Sequence, residues 1–312
     1  MLPVVESLIP VFLLIAAGFL IKRVNLVPAE TWAGMERLSF YVFFPSLLFL
    51  TLYGADFSGM GASATVLAFL LGAVFSLLLG VVIRTPVRMA LRLSDPSYSS
   101  VYQGFTRWNG FIALAIVEKL FGQAGLVIVA FAFLSVVIPN NIGNVAVLNW
   151  LGDRSGRKRS FGMDLLLNPI MIATLAGLAA NLIAVPIYEP VKTTISLVSQ
   201  VALPFGLILT GAGLRPNFEA RETGAILFAS VMRLLIAPVI FAGASILCGL
   251  EGQALIVIAA ATSVPTAMQG YIFAKQMGGD APLAASIATF QSVASAITIP
   301  LVIYIATLAF AG

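Results

Sequence analysis

The 312 residues are 60% hydrophobic and only 10% charged, with a mean hydropathy of +1.04, whereas a soluble domain carries about 25% charged residues. A water-soluble globule of this length cannot bury so much apolar surface, so the chain is read as an all-α polytopic membrane protein. The basic pI of 9.4 resides in loop charges rather than in a nucleic-acid patch, and the lone Cys248 leaves no internal disulfide.

Ten stretches reach the roughly 20 apolar residues that a membrane helix needs. They lie near 4–21, 38–54, 62–83, 99–120, 126–150, 163–184, 194–214, 223–249, 254–276 and 283–310. Span one has no basic residue before its apolar run and is followed by Lys22 and Arg23, the pattern of an outward-starting anchor rather than a signal peptide. Span four is interrupted by Arg107, Asn109 and Gly110, and span five carries Asn140, Asn141 and Asn144. Span eight holds Arg233. Span nine is interrupted by Pro265, Gln269 and Gly270, and span ten contains Gln291, Ser292 and Ser295. Only short connections remain, the longest being Arg84–Tyr98 and Gly152–Gly162, so no separate soluble domain is expected.

Loops after odd-numbered spans hold thirteen of the 17 Lys and Arg residues, including Arg84, Arg88, Arg92, Arg154, Arg157, Lys158 and Arg159. The other side holds Lys119 and Lys192, while Arg107 and Arg233 lie inside spans. Positive loops stay cytoplasmic, so the chain is placed in the inner (plasma) membrane with both termini outside.

An internal repeat relates the two halves. Pro10 and Gly18 recur as Pro169 and Gly177, and Pro45, Leu50, Thr51 and Gly54 recur as Pro204, Leu209, Thr210 and Gly213, all at an offset of 159. Asn109-Gly110-Phe111-Ile112 matches Gln269-Gly270-Tyr271-Ile272 at 160, and Ile138-Pro139 matches Ile299-Pro300 at 161. The units are residues 1–151 and 163–312, each with five spans. An odd number makes the second copy enter from the opposite face, giving two inverted repeats. In that architecture a pair of interrupted helices in matching positions, here spans four and nine, points to a binding site near the midplane.

The candidate site follows from those breaks. Asn109 and Gln269 hold matching positions and offer both donors and acceptors, Gly110 opens the backbone, and Pro265 breaks or merely kinks span nine. Asn140 and Asn144 share one helix face, and the amides of span five, with Gln291, either line a cavity or bond neighbouring helices. Asn141 is the favoured ligand of that group. Arg107 either neutralises an anionic substrate or snorkels to the cytoplasmic surface; Arg233 is read as structural. No catalytic set, metal-ligand cluster or phosphate loop is present, and no cofactor is implied. Sodium coupling would use oxygens alone, mostly carbonyls.

These residues resemble the auxin efflux carrier family of permeases. The resemblance rests on Ile9-Pro10 to Gly18-Phe19, Leu38-Ser39 to Pro45, Asn109-Gly110-Phe111 and Pro139-Asn140-Asn141-Ile142 with Val145. Arg233-Leu234-Leu235 to Pro238, Ser263-Val264-Pro265-Thr266-Ala267 to Ala274, and Ala284 to Pro300 extend it over the whole chain. It implies a ten-helix carrier related to the sodium–bile acid symporters, with helices 1, 2, 6 and 7 as a dimerising scaffold. Helices 3–5 and 8–10 would form the mobile transport domain, with 4 and 9 crossing at the substrate, near Asn109, Asn141 and Pro265. The implied function is elevator-like secondary transport of small organic anions, carboxylates foremost, rather than an enzymatic activity; the alternatives are a sodium-coupled uptake symporter of the bile-acid type and a non-transporting membrane sensor. Ala115 stands where many family members have proline, which implies a milder break in span four and a less symmetric crossing.

Overall fold

The computed structural model describes residues 2–55, 61–153, 169–215 and 219–310. Helix makes up 85% of it, and no strand occurs among the described residues. The basic stretch 154–159, Asp164 and the start of span six lie outside the described residues.

Among the described residues seven helical runs are long and apolar enough to cross a membrane: Val5–Arg23, Thr31–Tyr53, Ala62–Val82, Asp95–Leu151, Glu189–Gly213, Thr223–Leu247 and Ala281–Phe310. The Asp95–Leu151 run covers the expected spans four and five. It is non-helical at 107–109 and turns again at Gly122, whose φ of 60° and ψ of −149° glycine adopts without a Cβ penalty. Span six contributes the shorter helix Pro169–Leu182, and span nine is divided into Gln253–Thr262 and Gln269–Met277.

Prolines shape two other spans without breaking them. π-helical turns cover Ser39–Phe43 and Met232–Ile236, each ending two residues before a proline, Pro45 and Pro238. A proline has no N–H and its ring collides with the carbonyl a turn earlier, so the wider turn absorbs the lost bond while the helix continues.

Two compact units emerge. The first draws its described residues from Met1–Ala62, Phe111–Leu134 and Phe161–Gly213. Its helices meet backbone to backbone through glycine. A Cβ on Gly18 would lie 2.0 Å from the Ile208 carbonyl oxygen, and one on Gly177 would lie 2.4 Å from that of Phe49. Gly18 and Gly177, like Phe49 and Ile208, differ by 159 positions in the chain. Phe44 stacks on Phe111 with ring centroids 3.8 Å apart. Asn181 donates to the Tyr53 and Ala55 carbonyls at 2.7 and 2.9 Å, closing the end of helix Phe44–Tyr53.

The second unit comprises described residues of Ser63–Gly110, Ser135–Ser160 and Leu214–Gly312. It contains both breaks. Its helix Arg84–Leu91 buries no residue; Arg84 and Arg88 pair with Asp95 at 2.6 and 2.8 Å.

Candidate functional site

The two breaks meet in the second unit, where the Asn109 amide donates to the Pro265 carbonyl at 3.3 Å. Span four stops at Thr106 because Arg107 turns extended, with φ −68° and ψ 144°, and helix resumes at Gly110. In span nine helix ends at Thr262 and restarts at Gln269. The absence of proline at Ala115 therefore does not keep span four intact, but its break is half as long, residues 107–109 against 263–268.

An α-helix ends with four carbonyls that lack an intrahelical partner. In helix Asp95–Thr106 all four are matched. Gln103 O accepts from the Arg107 amide at 2.9 Å and from Thr266 Oγ1 at 3.1 Å. Gly104 O accepts from Gln291 Nε2 at 3.0 Å, Phe105 O from Arg233 Nη1 at 3.5 Å, and Thr106 O from Asn140 Nδ2 at 2.8 Å. Helix Gln253–Thr262 is closed as completely. The Ser263 amide and hydroxyl donate to Ala259 O and Ala260 O at 3.0 and 2.9 Å. Trp108 Nε1 donates to Ala261 O at 2.8 Å, and Arg233 Nη2 to Thr262 O at 3.1 Å.

Arg233 is thus a shared cap. Its guanidinium also donates to Val264 O at 2.9 Å, so one buried side chain serves both helix ends. A cation near helix C-termini is electrostatically favoured, which agrees with reading Arg233 as structural. Gln291 is a second shared tie: besides Gly104 O it donates to Ala229 O at 3.1 Å and accepts from the Thr266 amide at 2.8 Å.

The other candidates separate by exposure. Asn109 is 4% exposed and Asn140 8%, whereas Gln269 is exposed and Asn141 half-buried. Asn109 and Gln269, matched in sequence, therefore stand in different surroundings. Asn140 and Asn144 hold the end of span four: Thr106 Oγ1 donates to Asn144 Oδ1 at 3.0 Å, and Asn144 Nδ2 to Asn140 O at 2.7 Å. Gly270, next to Gln269, packs near Arg107 and Gln103.

Arg107 is buried, 4% exposed, with Nε donating to Gln103 Oε1 at 2.9 Å and the guanidinium 4.3 Å above the Phe273 ring. Its Nη2 and the Nε2 of Gln103 are buried with no hydrogen-bond partner. Gln103 was not among the sequence candidates; the available signal was its position one helical turn before Arg107. No ion pair among the described residues involves Arg107 or Arg233.

A separate cavity of about 330 Å³ lies in the first unit, bordered by Glu118, Gln123, Thr51 and Ser199 among others. None of the sequence candidates lines it, and its only charged group is a carboxylate.

The family model described as membrane transport protein matches residues 3–156 and 157–303. Over 298 residues the chain is 25% identical to an uncharacterized transporter of Methanothermobacter thermautotrophicus, covering 95% of this chain and 96% of that one. Over 147 residues it is 30% identical to auxin efflux carrier component 3a of Oryza sativa subsp. japonica, covering 45% of this chain and 24% of the rice protein.

Proposed function

The chain belongs to the auxin efflux carrier family of membrane transport proteins, and from that premise we propose that it is a secondary carrier of small organic anions, carboxylates foremost. Membership in a transporter family also points away from enzymatic chemistry. The observation that carries the anionic substrate is the uneven hydrogen-bonding at the breaks. The carbonyls at both helix ends have donors, while Arg107 and Gln103 retain buried donors without acceptors. A buried cation lacking a counter-charge costs several kcal/mol (about) in low dielectric. A carboxylate arriving beside Arg107 offsets that cost, whereas a cationic or neutral solute does not.

In this reading Arg107 and Asn109 contact the substrate, with the Gly110 amide at the start of the following helix and Gln269 at the mouth. Half-buried Asn141 is a further contact. Pro265 shapes the crossing, and Asn140 and Gln291 position it. Ten spans in two inverted repeats are supported by the equivalent Gly18–Ile208 and Gly177–Phe49 contacts. Helices 1, 2, 6 and 7 serve as scaffold and homodimer surface, and the rest move as an elevator in the inner membrane, with both termini outside. The sodium-coupled alternative would draw on the same carbonyls, each of which accepts from Arg233, Trp108, Gln291 or Asn140 and keeps a second lone pair that could face an ion.

Flux from proteoliposomes preloaded with labelled carboxylates tests this. The expected result is sodium-independent efflux that rises with an inside-negative potential, which contributes about 2.3 kcal/mol per charge per 100 mV. Absence of carboxylate flux under any gradient rejects the reading, and strict sodium dependence replaces it with symport.

A further inference from the structure

We infer that Gln103 and Arg107 together form the seat for a single carboxylate group, Gln103 Nε2 donating to one oxygen and Arg107 Nη2 to the other. The inference rests on the anion-carrier reading and adds to it a specificity-determining residue and the geometry of the group it selects.

Both side chains are more than nine-tenths buried, Gln103 at 1% exposed and Arg107 at 4%. Their mutual bond, Arg107 Nε to Gln103 Oε1 at 2.9 Å, decides the orientation of the amide: the oxygen faces the guanidinium and the NH₂ is the end left over. That leaves Gln103 Nε2 and Arg107 Nη2 as two unmatched donors on adjoining groups. A buried donor without an acceptor bears the whole desolvation penalty of that group, so two of them on side chains bonded to each other mark a place for an acceptor.

The surroundings narrow its chemistry. Phe273 covers one face of the guanidinium at 4.3 Å, and hydrogen-bonding to its N–H groups runs in the plane of the group. Gly270 borders the pair: a Cβ there would lie 3.5 Å from Arg107 Cδ and 3.9 Å from Gln103 Oε1. It belongs to the first turn of the nine-residue helix Gln269–Met277, the end of a helix that favours negative charge. Two donors on side chains already bonded to each other can serve the two oxygens of one carboxylate. A phosphonate or phosphate brings a third oxygen and a second charge, for which the pair offers neither donor nor cation.

The experiment is equilibrium binding to the purified full-length protein in lipid nanodiscs, with benzoate, phenylphosphonate and benzamide as probes. The variants are Gln103→Glu and Gln103→Asn, with folding checked by thermal unfolding. Gln103→Glu keeps an acceptor for Arg107 Nε but turns the free donor into an anionic oxygen; Gln103→Asn withdraws the amide by one methylene. The wild type is expected to prefer benzoate to both other probes. Each folded variant should lose about tenfold or more in benzoate affinity, with benzamide changed far less. Benzoate affinity within twofold of wild type in either folded variant overturns the seat, as does a parallel loss for benzamide or a wild-type preference for phenylphosphonate. If the wild type binds no carboxylate, the anion-carrier reading falls with it; if benzoate binds and the variants behave as wild type, only the seat falls.

Discussion

The breaks in spans four and nine reach the same end by different means. Span nine carries its interruption partly in its own residues: Pro265 removes a donor, and Ser263 turns back to close two of its own helix's carbonyls, leaving the other two to Trp108 and Arg233. Span four has no proline near its break, and its last carbonyls are met by Asn140, Gln291, Arg233 and Thr266, residues remote in the chain. A helix therefore ends not only where the backbone forbids it to continue but also where distant donors satisfy its orphan carbonyls. The second kind depends on the rest of the unit being assembled. The two also differ in what they bury: the first encloses Asn109, Arg107 and Gln103, while the second leaves Gln269 exposed.

Arg233 is the point at which the two breaks depend on each other, so its removal should have the largest effect. Arg233→Met leaves Phe105 O, Thr262 O and Val264 O without that donor, and a loss of about 3 kcal/mol or more is expected in unfolding of the purified protein. An unchanged unfolding midpoint would show that the breaks are held independently.

The difference in burial can be sharpened next. Asn109→Ala should lower carboxylate affinity roughly ten- to hundredfold, or about 1.5–3 kcal/mol for a hydrogen bond to a charged group. Gln269→Ala, at an exposed position, should change it by only about two- to threefold on the same footing. Equal losses in a binding titration would restore the symmetry that the repeat suggests.

The smallest effects concern single caps. Asn140→Ala removes one donor from the end of span four, and Trp108→Phe removes one from the end of span nine's first half. Each should reduce stability by about 0.6 kcal/mol, the average for a polar contact between membrane helices. A much greater loss for Asn140→Ala in thermal unfolding would mean that span four's break rests on one residue rather than on several.

Much of this protein was legible in its residues alone. Hydropathy established a helical membrane protein, because lipid leaves no other solvent for 60% apolar residues. The Pro and Gly positions marked both interruptions, and Arg107 and Asn109 stood out as polar groups in an apolar run. These features are read one residue at a time or at a fixed spacing.

Tertiary structure decided the rest. Arg233 became a cap for two helices through bonds to carbonyls 29, 31 and 128 residues away, and Gln291 a tie through bonds spanning 25, 62 and 187. Gln103 gained its importance only through burial and through the Arg107 bond that takes its oxygen and leaves its nitrogen. Backbone carbonyls are present at every position and carry no sequence signature. Which of them meets a donor depends on three-dimensional approach, so the polarity of the site, donors left over and acceptors filled, is a property of the folded unit.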